Sequence, residues 1–370
     1  MTTPPPPPPP PPGFQPPGWQ SPGGQSGEPA SAGTAYPQPG QAPPPGWYAH
    51  PGQYAPPSLP VRPPALPAEP AEYHHILRGA RRAWWRPLVS FLLVVGGVLV
   101  ATVGLILVAG IGYVVVSDGD FGAIEDMALD FNNPVTFGAQ NLWLAMLIPI
   151  AGLATWIAHG VRPGFVSSVV GRFRWGWFGW CLIVIVPLWL LYIGVAVLID
   201  GESFRDTAGR PSSWVALLVL TLLTTPLQAA GEEYLFRGWL MQQIGAWVKS
   251  TYVALTLAVV LSSVVFALAH TSLDPWILID LGSFAAAAVL LTWRTGGLEA
   301  AVALHIVNNV IVLVLSILTT GLQDAFITPD TTSDPVTTVI SFVALAITSS
   351  VIWWLAGRRG VARRSAGART

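Results

Sequence analysis

An all-α, polytopic membrane helix bundle of about eight transmembrane helices behind a disordered N-terminal tail is the fold class this sequence predicts. Three observations carry it. Of the 370 residues, 52% are hydrophobic and only 10% charged, where soluble domains carry about 25% charged residues. Apolar stretches recur at close to the ~20 residues an α-helix needs to cross ~30 Å of hydrocarbon. Arginines and lysines gather in alternate loops, and the intervening loops are acidic, as the positive-inside rule requires. No internal repeat is visible, nor the strict alternation of a β-barrel.

Residues 1–73 hold 26 of the 36 prolines, with an unbroken run at 4–12. Such a composition forms no packed core. Residues 1–75 are therefore assigned to a disordered, proline-rich cytosolic tail. Its polyproline II segments, with Trp19, Tyr36, Trp47 and Tyr48 beside them, suit docking to a cytosolic partner. No signal-peptide pattern precedes it.

The membrane domain, 76–357, opens after Arg78, Arg81, Arg82 and Arg86, with Trp84 and Trp85 at the level of an interfacial aromatic belt. Its apolar stretches are 88–116, 138–157, 177–199, 213–231, 251–269, 276–293, 300–322 and 336–355. Arg162, Arg172, Arg174, Lys249 and Arg294 fall on the side of the first arginine cluster, and so does the basic tail 358–370. Only Arg205 and Arg210 break the pattern. Both termini are thus expected in the cytoplasm, with an even number of spans, in what reads as a bacterial plasma membrane. A net charge of −1 from 18 basic and 19 acidic residues excludes a nucleic-acid partner. The single cysteine, Cys181, excludes an intramolecular disulfide and reads as a small apolar residue.

The polar residues within the spans are few: Glu232, Glu233, Arg237, His270, Asp280, His305, Asn308 and Asn309. Placing acid in hydrocarbon costs kilocalories unless it is compensated. Glu233 and Arg237 are four apart and share a helical face, whereas Glu232 points about 100° away. Phe266 and His270 share a face in the same manner, as do His305 and Asn309. Glu232 lies 18 residues before Ser250 and His270 lies 20 after it, which is ~27 and ~30 Å of helix. A helical hairpin turning there sets the two at one level, provided that the helix runs on past Glu233 to Val248. Pro226 is a candidate kink. His305, about eight residues into its span, fits that level less closely. His159 reads as interfacial, Asp280 as reaching interfacial water, and Asn308 as packing.

Glutamate, two histidines and asparagine suit hydrolysis of a carbonyl compound. In one version Glu232 is the general base, His270 holds the water, and His305 and Asn309 donate to the oxyanion. In the other, Glu232, His270 and His305 bind a zinc whose open position holds the water. The usual His-Glu-x-x-His pair is absent, and both versions stay open.

Glu232-Glu233-x-x-x-Arg237, Phe266-x-x-x-His270 and His305-x-x-x-Asn309, in this order over 213–322, resemble the CPBP family of CAAX proteases and bacteriocin-processing enzymes, related to the type II CAAX prenyl endopeptidases. The resemblance implies an intramembrane endopeptidase, with Glu232, His270, His305 and Asn309 catalytic and Glu233, Arg237 and Phe266 in support. It implies a membrane-associated or lipidated peptide or protein as substrate, and either zinc or no cofactor. The competing reading is a non-catalytic membrane scaffold or immunity-type protein whose polar cluster only packs helices. A transporter would show paired interrupted helices with internal symmetry, and none is seen.

Overall fold

Proline and its capping partners set several helix starts. In the computed structural model, which describes residues 63–199, 209–270 and 272–367, Asn133, Asp274 and Asp334 each precede a proline at the first helical position. The side-chain oxygen of each accepts a backbone N–H of the first turn, which satisfies donors a helix cannot use itself.

The helices are α1 (Arg86–Val116), α2 (Phe121–Leu129), α3 (Pro134–Ala145), α4 (Leu147–His159), α5 (Gly164–Ser167), α6 (Trp175–Ile199), α7 (Trp214–Glu233), α8 (Met241–Trp247), α9 (Thr251–His270), α10 (Pro275–Thr295), α11 (Glu299–Leu318) and α12 (Pro335–Arg358). Among the described residues there is no strand, and two isolated β-bridges occur. Seven segments there are long and apolar enough to cross a membrane, and a further apolar stretch, Thr251–Phe266, lies within α9. Leu92, Val100, Ile106, Val108 and Val115 of α1 are exposed, an arrangement that hydrocarbon tolerates and water does not. The all-α membrane bundle is thereby borne out.

Several boundaries differ from the expectation. The second span is two helices, because Pro149 cannot donate to the carbonyl four residues earlier and so interrupts the ladder near Met146. The fourth span does run on, as Trp214–Trp247, but Tyr234–Leu240 within it is a π-helical turn, a form frequent at functional sites. The seventh stops at Leu318, short of 322. Arg210, an exception to the charge pattern, donates to the Leu318 carbonyl through Nε and Nη2; it closes the end of α11. Arg205 lies outside the described residues.

The expected disordered tail extended to residue 75, yet 63–85 is a packed strap, and residues 1–62 lie outside the described residues. Tyr73, Ile76 and Leu77 are buried in a cluster with Met241, Ile244 and Leu255, and the Tyr73 hydroxyl donates to the Val166 carbonyl. Arg78 and Arg82 donate to the carbonyls of Gly245 and Ala246, satisfying the last acceptors of α8. The apolar content of Tyr73–Leu77 decides the matter, as proline stops at residue 70. The basic tail is also tied in: Ser365 N–H donates to the Ala71 carbonyl and Ala71 N–H to Ser365 Oγ. The two ends of the membrane domain therefore meet at one end of the bundle, which fits an even number of crossings.

Candidate functional site

α7 delivers the paired carboxylates to the bundle interior because its backbone can come unusually close to the α3–α4 break. A Cβ on Gly231 would sit 2.0 Å from the Leu144 carbonyl oxygen, so only glycine fits immediately before Glu232. Glu233 and Arg237 are both fully buried. Arg237 Nη1 donates to Glu233 Oε1 at 2.8 Å, the i,i+4 pair the spacing implies. The Nε and Nη2 groups of Arg237 have no hydrogen-bond partner among the described residues; the guanidinium lies 5.6 to 6.0 Å from the ring centres of Phe236, Phe266 and Phe284. Aromatic faces attract a desolvated cation, so the charge is held by one carboxylate and three rings.

His305 on α11 closes the cluster. Its Nδ1–H donates to the same Glu233 Oε1 at 2.8 Å, since a carboxylate can only accept. That contact leaves Nε2 facing Glu232 Oε2 at 3.6 Å. In a neutral imidazole this nitrogen carries a lone pair, as the carboxylate oxygen does, and two such atoms need something positive between them. A proton, the two hydrogens of one water, or a metal ion each satisfies that requirement. Phe284 and Phe266 stand edge-on to the imidazole at 5.2 and 6.2 Å and fix its plane.

Glu232 keeps a side-chain exposure of 14%. Its Oε1 accepts from Gln228 Nε2 at 2.7 Å, and Gln228 Oε1 accepts from Asn309 Nδ2 at 3.1 Å. Gln228 thus joins the glutamate to the asparagine. Sequence reasoning passes over it, although Gln228 and Glu232 are one turn apart on α7 and an amide in an apolar helix is signal enough. Asn308 donates to Asn309 Oδ1 at 3.1 Å, so it orients that side chain beyond merely packing. Only one N–H of the Asn309 amide is used by Gln228, and an amide has two.

Other polar residues fall elsewhere. His159 at the end of α4 is buried in the protein and pairs with Gln243 at 2.9 Å. Asp280 accepts from Ser341 Oγ at 2.5 Å on the α10–α12 side. His270 ends α9, one turn past Phe266; its side chain lies outside the described residues. Phe266 packs edge-on to Phe236 at 6.1 Å, so the α9 motif does reach the level of both Arg237 and His305. His305 itself lies at the level of Glu232, 3.6 Å away.

The arrangement suits zinc as well as water. With metal–donor bonds of ~2.0–2.1 Å, two donors on one tetrahedral ion stand roughly 3.3 Å apart, close to the Glu232–His305 separation of 3.6 Å. The Glu233 contact to Nδ1 is the outer-shell bond that metal-binding imidazoles usually have.

Residues 211–311 match the family model described as type II CAAX prenyl endopeptidase Rce1-like, in accord with the resemblance carried by the three motifs. No curated protein and no solved structure matches. The family is one of proteases, and the apolar helices make the protein an integral membrane protein.

Proposed function

We propose, with the family match of residues 211–311 as premise, that the protein is an intramembrane endopeptidase acting on a membrane-associated or lipidated peptide or protein. The observation that carries the proposal is the 3.6 Å approach of Glu232 Oε2 to His305 Nε2, two proton acceptors converging beside a buried ion pair. A water donating one hydrogen to each is held by both. Glu232 takes a proton as the water oxygen adds to the scissile carbonyl carbon, and returns it to the amine as the C–N bond breaks. The free N–H of Asn309 is the donor for the developing oxyanion. Glu233 and Arg237 are positioning residues, which hold the His305 tautomer and touch no substrate. His270 completes the set by its motif.

If zinc is the resident cofactor, Glu232 and His305 would hold it with His270, and it would supply polarisation of the bound water. In that reading too Glu233 fixes the imidazole. The reading puts both termini in the cytoplasm of a bacterial cell; the positive-inside pattern and the meeting of strap and C-terminal tail support the shared side of the two ends.

The test is cleavage by the purified full-length protein in liposomes, on fluorogenic CAAX-box peptides with and without a prenyl group. Glu232→Gln should lower the rate by about 10²–10⁴-fold with unchanged thermal unfolding. A variant that cleaves at the wild-type rate removes the general-base assignment. Activity that survives complete removal of metal would remove the zinc version.

A further inference from the structure

Outside the intramembrane cluster, the strap carries a second set of histidine and carboxylate donors. Glu72, His74 and His75 each offer an atom, and these atoms lie within 4.8 Å of one another. His74 is fully buried, and neither ring nitrogen has a hydrogen-bond partner among the described residues. A buried imidazole with both nitrogens unsatisfied is costly and calls for a reason.

We propose that Glu72, His74 and His75 bind a divalent transition metal ion of the zinc type, which fastens the strap to the bundle. His75 Nε2–H donates to the Val248 carbonyl at 3.1 Å, so its Nδ1 is the atom left as a ligand. His74 Nε2 already lies 3.9 Å from Glu72 Oε2, and that oxygen is held by Thr251 Oγ1 at 2.9 Å. Donors on one tetrahedral ion stand roughly 3.3 Å apart, so the three would draw together from separations of up to 4.8 Å to hold an ion. Imidazole with one carboxylate suits zinc, and also cobalt, nickel or copper, far better than magnesium or calcium.

A fourth coordination position opens on a cleft of about 390 Å³ bordered by Glu72, His75, Arg78, Lys249, Thr251 and Arg364. The cations there oppose a metal, but Arg78 is committed to the α8 carbonyls. Arg364 approaches the other Glu72 oxygen, Oε1, at 3.7 Å. The ion would tie together strap, C-terminal tail and the α8–α9 turn, since Glu72 contacts Arg364 and Thr251 while His74 presses on α8. At that contact a Cβ on Gly245 would meet the His74 carbonyl oxygen at 1.8 Å.

The inference does not depend on proteolysis, and its test uses no substrate. Full-length protein in detergent is stripped with chelator and titrated calorimetrically with Zn²⁺, as wild type, Glu72→Gln, His75→Ala and His305→Ala. Glu72→Gln and His75→Ala should each lose one equivalent or weaken it at least tenfold, and His305→Ala should keep that equivalent. Zn²⁺ should also raise the melting temperature of wild type and His305→Ala but not of His75→Ala. No binding by wild type, or wild-type affinity and stoichiometry in the Glu72→Gln/His75→Ala double variant, overturns the site. Glu72→Gln is nearly isosteric and retains the fold should His75→Ala not. Titration of that variant with Co²⁺ then tests the site by absorption: a weakened band supports it, and a band equal to that of wild type overturns it.

Discussion

Two clusters of carboxylate and imidazole are built from the same residue types and treated in opposite ways. Around Glu232 and His305, within the bundle, the acids have internal partners: Arg237, His305 and Gln228 together supply the donors. In the strap, His74 is buried with no hydrogen bond among the described residues, and Glu72 accepts from Thr251 and lies near Arg364. Charge inside hydrocarbon has to be compensated by the protein itself. At the end of the bundle, compensation can be left to an ion arriving from solution. On the readings proposed above, one cluster would hold a reacting proton and the other a metal ion.

The comparison is broken most severely at Arg237. Arg237→Met should cost about 3–5 kcal/mol, because it leaves Glu233 as an unpaired buried charge. Adding Glu233→Gln should recover much of that loss. Thermal unfolding in detergent reads both; a single variant as stable as wild type would show that Glu233 does not depend on the guanidinium. A smaller effect is expected at the bridge between glutamate and asparagine. Gln228→Ala should slow cleavage by about tenfold, near 1.4 kcal/mol, and the loss should be less than additive with Asn309→Ala because the two share one chain of hydrogen bonds. Full additivity would separate them. The smallest effect belongs to the strap, where Thr251→Val removes the donor that orients Glu72. Stability should fall by about 0.5–1.5 kcal/mol and Zn²⁺ affinity by about tenfold, as for outer-shell partners of metal ligands. Unaltered Zn²⁺ affinity would show that Thr251 does not set the carboxylate.

Much of the cluster in the bundle is legible in the sequence because its key spacings are local. A separation of four on a helix places Glu233 against Arg237 whatever surrounds them, and the same rule sets His305 beside Asn309. Gln228 escapes notice although it obeys that rule, since a neutral amide costs less in an apolar run than a charge does. The sequence leaves His305 as oxyanion donor or zinc ligand; that its Nδ1 donates to Glu233 is a contact between residues 72 apart in sequence that no local spacing contains. The strap is misjudged for a related reason. Proline content dominates the reading of residues 1–75, and the side chains of Tyr73, Ile76 and Leu77 become meaningful only against α8 and α9.

The sequence by itself determined the helical class, most of the spans and the order of the three motifs. Each follows from hydropathy or helical period, which are properties of neighbouring residues. Only the tertiary structure decided that α7 approaches Leu144 at Gly231, that Glu233 holds His305, and that the two ends of the membrane domain are stitched together over α8. Those outcomes depend on how each helix is rotated and how deeply it sits, and helices of nearly uniform apolarity carry too weak a pattern to fix either.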